Sequence, residues 1–159
     1  MTAPTGTMLR DPGHFLALGG GSGLFPKGPG TAGSVVGLLV YWPMMTLDNW
    51  TYIAITIALF GVGVPLCQRT AAILGEHDHP AIVWDEIVGM LLTLSVVSPS
   101  ITGCALAFVL FRIFDIFKPW PISFLDRRIA GGLGIMLDDV FAAIFSIIIL
   151  VFIEYLSYI

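Results

Sequence analysis

Five carboxylates stand where so apolar a chain would ordinarily carry none: Asp85 and Glu86, Asp115, and Asp138 and Asp139. Each borders a long uncharged run, and ionisable groups beside hydrocarbon face cavities, pair with one another, or mark function. Brought together they would repel one another unless a cation neutralised them. Oxygen-only ligation that retains some water suits Mg²⁺ or another hard divalent ion. Asp85, Glu86, Asp138 and Asp139 have a plainer explanation, the preference of acids for helix N-termini. Asp115 does not, since it is expected near a helix C-terminus; its plainer explanation is pairing with Arg112 or Lys118 at three-residue spacing.

Groups suited to an anion accompany the acids. The stretch from Gly19 to Ser34 combines glycines with Ser22, Thr31, Ser34 and Lys27, and the amides around Gly23 and Gly30 can form an anion nest before a helix. It lacks the Gly-Lys-Ser/Thr of a Walker loop. His77-Asp78-His79 precedes Trp84-Asp85-Glu86. Two histidines without a third well-placed soft ligand make a poor zinc site, so acid/base work, phosphate contact or loop capping is expected instead. Arg112 can grip phosphate bidentately or orient Asp115, and Lys118 can pair with phosphate or reach for lipid headgroups.

The elements that position these residues follow from composition. Of 159 residues 57% are hydrophobic and 11% charged, with a mean hydropathy of +0.93, where a soluble domain carries about a quarter charged residues. A bilayer is the natural solvent, and a net charge of −4 argues against nucleic-acid binding. Residues 1–17 read as a cytosolic tail and 18–159 as one membrane-embedded domain. Charge-free intervals predict an all-α, multi-pass helical bundle of about five helices. The first begins near Gly33 and runs to Leu47, and the second spans Asn49 to Gln68. Trp84 to Val97 and Ile101 to Lys118 form a short helical hairpin broken near Pro99, and the fifth helix covers Val140 to Ile153, with Asp138 and Asp139 opening it. With the hairpin, Arg10, Lys27, Arg69, Arg112, Lys118, Arg127 and Arg128 all fall on one side, which the positive-inside rule makes cytoplasmic. All five carboxylates then converge near that interface. Cys67 and Cys104 are expected at opposite faces and unbridged.

Four stretches carry a resemblance to a known family: GSGLFPKGPGTAGS at 21–34, HDHPAIVWDEIVGM at 77–90, FRIFDIFKPWPI at 111–122 and GGLGIMLDDVFAA at 131–143. In this order they resemble the phosphatidylglycerophosphatase A family of bacterial lipid phosphatases. The resemblance implies Mg²⁺-dependent hydrolysis of phosphatidylglycerophosphate to phosphatidylglycerol and phosphate, the last step of phosphatidylglycerol synthesis, at the bacterial inner membrane. It carries functional status to His77, Asp78, His79, Asp85, Glu86, Arg112, Asp115, Lys118, Asp138 and Asp139, while Lys27 falls at a variable position of the first motif. The expected arrangement is Mg²⁺ on Asp85, Glu86, Asp115 and one or both of Asp138 and Asp139, with Arg112, Lys118 and the glycine-rich loop offsetting phosphate charge. An aspartyl-phosphate intermediate is an alternative route. Two rivals come from other classes. A CDP-alcohol phosphatidyltransferase would show an aspartate-rich, Asp-Gly and Ala-Arg pattern that is absent here. A non-enzymatic transporter or lipid-binding protein would explain the hydrophobicity but not the gathered carboxylates.

Overall fold

A computed structural model describes residues 6–120 and 129–157, so Arg127 and Arg128 of the basic loop lie outside the described residues. Among the described residues the chain is entirely helical. Six α-helices follow one another among the described residues: α1 (Pro12–Ala17), α2 (Pro29–Met44), α3 (Asn49–Leu74), α4 (Trp84–Leu94), α5 (Ile101–Phe117) and α6 (Gly131–Ser157). Two 3₁₀ turns, Gly6–Arg10 and Gly19–Leu24, flank α1.

The short helix α4 is the axis of the bundle. It packs against α2, α3, α5 and α6, and nearly every one of its side chains is buried. At 11 residues it is only about 16 Å long, too short to cross a hydrocarbon core. The helices α3 and α6 are long and apolar enough to do so. Leu39, Trp42, Ile57, Ile148 and Phe152 face outward, the reverse of what water would select. The break after α4 is real: Ser95 to Ser100 separates it from α5, whose N-cap Ser100 accepts the Gly103 amide at 3.0 Å. Asn49, at the start of α3, and Pro99 line one small cavity, so the α2–α3 and α4–α5 turns share one end of the bundle. That is the arrangement the hairpin requires. Cys67 and Cys104 are both free.

Two helices begin earlier than the charge-free runs predict, α2 because its entry is rich in glycine and α6 because Asp138 and Asp139 bound its apolar run. Glycine disfavours helix intrinsically, so glycine-rich entries read as loops. In α2, however, Gly30, Gly33 and Gly37 form the face against α4, where a Cβ on Gly33 would meet Val83 Cβ at 2.7 Å and one on Gly37 would meet Met90 Cβ at 2.8 Å. Small residues there let two helices approach backbone to backbone. In α6, Gly132 lies against the α3 backbone at Val64 and Gln68. Helix α6 therefore starts at Gly131 rather than Val140, and Asp138 and Asp139 sit about two turns inside it rather than opening it.

The N-terminal segment is also more than a tail. Asp11 caps α1 by accepting the Gly13 amide at 2.8 Å and the His14 amide at 3.2 Å, and its carboxylate pairs with Arg69 of α3 at 2.8 Å. His14, Ala17 and Leu18 are buried. Ala17 accepts the Val83 amide at 2.9 Å, tying this segment to the loop that leads into α4.

Candidate active site

The start of α4, the end of α5 and the third turn of α6 bring the acids to one level. Asp85, Glu86 and Asp139 each offer an oxygen within 4.8 Å of the others. Asp85 and Asp139 are buried, and Asp85 Oδ1, Glu86 Oε2 and Asp139 Oδ2 have no hydrogen-bond partner. Asp115 of α5 lies near Asp139. Buried anionic oxygens without donors are costly, so this set fits a hard divalent cation.

Arg112 stands over the acids. It forms an ion pair with Asp115, one turn on, and its Nη1 lies 3.4 Å from Ser34 Oγ of α2. Ser34 donates its own proton to the Gly30 carbonyl at 3.0 Å, leaving its lone pairs for the guanidinium. A Cβ on Gly30 would overlap Glu86 Oε1 and meet Arg112 Nη1 at 3.1 Å. The N-terminal turn of α2, with its positive dipole end, therefore forms one wall of the site.

Asp138 does not join the three acids. One residue along a helix turns the side chain by about 100°, and Asp138 pairs with Lys118, whose Nζ also lies 3.6 Å from Asp78. Lys118 caps α5 in the left-handed region, with φ 40°. For a residue with a Cβ this costs about 1–2 kcal/mol, and such strain collects at functional positions.

The remaining candidates divide by location. Ser22 donates to the Gly19 carbonyl at 2.9 Å, and Gly23 abuts the Ala81 carbonyl, so both shape the turn before α2. Lys27 and Thr31 are exposed on the far side of that turn. His77 Nε2 accepts the Gly131 amide at 2.6 Å, and His79 Nδ1 accepts the Ala81 amide at 3.1 Å.

Sequence reasoning missed two positions. Gln68 Oε1 accepts the Gly132 amide at 2.8 Å and so caps α6 from α3; a lone glutamine in an apolar helix was the available signal. Gly89 lets Phe111 and Asp139 close on α4, since a Cβ there would meet the Phe111 ring at 2.7 Å and Asp139 Cβ at 3.0 Å.

Residues 15–154 match the family model for Phosphatidylglycerophosphatase A, a span that includes every residue of this site. The chain belongs to that family. It is 45% identical to the Phosphatidylglycerophosphatase A of Escherichia coli (strain K12), over 91% of this chain and 85% of that protein. It is likewise 45% identical to that of Haemophilus influenzae, over 92% of this chain and 91% of the relative. A Bacteroides thetaiotaomicron relative, 33% identical over 86% of this chain and 89% of its own length, is named, provisionally, a phosphatidylinositol-3-phosphatase. No solved structure matches the chain. Family membership makes the protein an enzyme, a phosphatase, and with the two long apolar helices a membrane protein.

Proposed function

We propose that this enzyme hydrolyses phosphatidylglycerophosphate to phosphatidylglycerol and phosphate, the last step of phosphatidylglycerol synthesis, at the cytosolic face of the bacterial inner membrane. The observation that carries the reading is the set Asp85, Glu86 and Asp139, with orphaned oxygens, roofed by Arg112, Ser34 and Gly30. The relatives' names supply the substrate. The one-sided basic residues favour the cytosolic orientation.

Asp85, Glu86 and Asp139 would hold Mg²⁺, with Asp115 beside them. Bound there, Mg²⁺ would supply positive charge to a phosphate oxygen and acidify a water. Arg112, aimed by Asp115 and Ser34, offsets charge developing on the phosphoryl oxygens. The first turn of α2 contributes its dipole from the same wall. Lys118 links Asp78 and Asp138 at the rim and is placed to meet incoming phosphate. With Nδ1 accepting from Ala81, the proton of a neutral His79 resides on Nε2, and His79 lines a cavity with Gly23, Phe25 and Pro29 at the entry to α2, from which it would serve as general acid to the leaving glycerol oxygen. His77 has Nε2 committed to Gly131 and serves chiefly to hold α6.

The test is phosphate release from phosphatidylglycerophosphate by the purified protein in mixed micelles, with Mg²⁺ and with chelator. Metal-dependent release with phosphatidylglycerol as lipid product is expected. No release with any divalent ion would refute the reading.

A further inference from the structure

A buried reaction centre for a two-chained lipid needs a path to the hydrocarbon. Helix α2 divides cleanly into two faces. Gly30, Gly33, Ser34, Gly37, Tyr41 and Met44 are buried. At about 100° per residue, Thr31, Val35, Leu39 and Trp42 form a separate stripe. All four are exposed, Leu39 at 68% and Trp42 at 71%. At the head of that stripe lies a cavity of about 520 Å³ lined by Ser22, Phe25, Lys27, Thr31, Val35 and Val36. Its mouth therefore carries one cation and two hydroxyls, and its floor is aliphatic. Thr31 follows Gly30 directly, so the groove and the carboxylate site are separated by only the backbone of one helical turn.

Resting on the proposed reading, we infer that this groove seats the glycerol backbone and one acyl chain of an anionic diacyl phospholipid. Lys27 lies on its internal phosphodiester, and the chain runs down Val35, Leu39 and Trp42. The charge fits, because a phosphodiester brings one negative charge to a mouth whose lining includes a lysine and no acid. The polarity order fits as well, running from cation and hydroxyl to aliphatic to lipid-facing aromatic along one helix. The substrate's two phosphates, joined by a glycerol, would straddle the first turn of α2. The diester stays with Lys27 and Thr31, and the terminal monoester reaches Gly30, Ser34 and Arg112. A lipid whose monoester sits directly on diacylglycerol would hold that phosphate at Lys27, short of Gly30, Ser34 and Arg112.

The experiment uses full-length protein in nanodiscs with phosphatidylglycerol or diacylglycerol, which lacks the phosphodiester, each carrying a photoactivatable acyl chain, the labelled peptides being read by mass spectrometry. The phosphatidylglycerol probe should label the Val35–Trp42 stretch about fivefold above the diacylglycerol probe, the factor expected for one lysine at an anionic headgroup. Lys27→Glu should abolish that preference and Lys27→Arg restore it. In kinetics on phosphatidylglycerophosphate, Lys27→Glu should raise KM by at least the same factor while kcat moves far less. Equal labelling by both probes, or an unchanged KM in Lys27→Glu, overturns the groove even if the wild type releases phosphate normally. Selective labelling without phosphate release overturns the proposed reaction and leaves the lipid groove standing.

Discussion

Gly30 of α2 and Glu86 of α4 are in direct contact, so close that a Cβ at position 30 would occupy the place of Glu86 Oε1. The group displaced is the end of a flexible side chain, which can swing aside without unfolding the helix pair. Gly30→Ala should therefore insert and fold normally yet lose at least about a hundredfold in kcat, the scale on which misplacing a reacting group is felt. Gly61, with nothing within 4 Å of its would-be Cβ, is the control. Gly61→Ala should keep full activity and gain about 0.5–1 kcal/mol of helix stability. Matching activities for the two variants would show that the α2 wall is not part of the site.

Asp138 and Asp139 are adjacent but separable. Asp139 faces Asp85 and Glu86, whereas Asp138 pairs with Lys118. Asp139→Asn should weaken Mn²⁺ binding, read by electron paramagnetic resonance, and cut kcat at least tenfold more than Asp138→Asn does. Asp138→Asn should instead couple to Lys118→Met, since each substitution removes one side of the same ion pair. The double variant should then be more stable than additivity predicts, by about 1–3 kcal/mol. Equal metal affinities for the two single variants would mean that both aspartates ligate.

Much of this was legible in the chain, and the parts that were not have definite physical causes. Charge-free runs and the Ser98-Pro99-Ser100 break located α4, α5 and the start of α3, because membrane helices are set by polarity and length; α3 itself runs past Gln68 and Arg69 to Leu74, where Gly75 caps it. The start of α2 was misplaced because glycine scores as loop, whereas Gly30 and Gly33 are there to let backbones touch; that of α6 was misplaced because Asp138 and Asp139 read as opening the helix, whereas they lie inside it. The carboxylates could be named from type alone. Which of two adjacent aspartates faces the others depends on helix phase, and that depends on where the helix begins. The part of Gln68 depends on a contact between α3 and α6 that no local pattern encodes.

Topology gives a test independent of activity. Asn49 and Pro99 share one end of the bundle, while Glu76, His77 and Gly131 line a cavity at the other. In a background with Cys67 and Cys104 replaced by Ala, single cysteines at Asn49 and Ser100 should react with a membrane-impermeant maleimide from outside intact cells. A cysteine at Glu76 should react only after permeabilisation. Labelling of all three from one side would refute both the hairpin and the cytosolic placement of the site.

His77 separates a structural role from a chemical one. Its Nε2 accepts the Gly131 amide, and Gln68 Oε1 accepts the next amide, Gly132, so two side chains from outside α6 satisfy donors that its own first turn cannot. Asp139 lies two turns further along the same helix, and the cap fixes its height relative to Asp85 and Glu86. Loss of a cap typically costs about 1 kcal/mol, whereas loss of a general acid costs about 10²–10⁴ in rate. His77→Ala should accordingly speed hydrogen exchange at the amides of Gly131 to Gly134 and reduce kcat by less than about tenfold. Gln68→Ala should have the same signature, with faster exchange over the same amides. His79→Ala, whose Nε2 carries the transferable proton, should fall in the general-acid range with exchange in α6 unchanged. A hundredfold loss in His77→Ala with α6 exchange unaltered would reverse the two assignments and place His77 on the substrate.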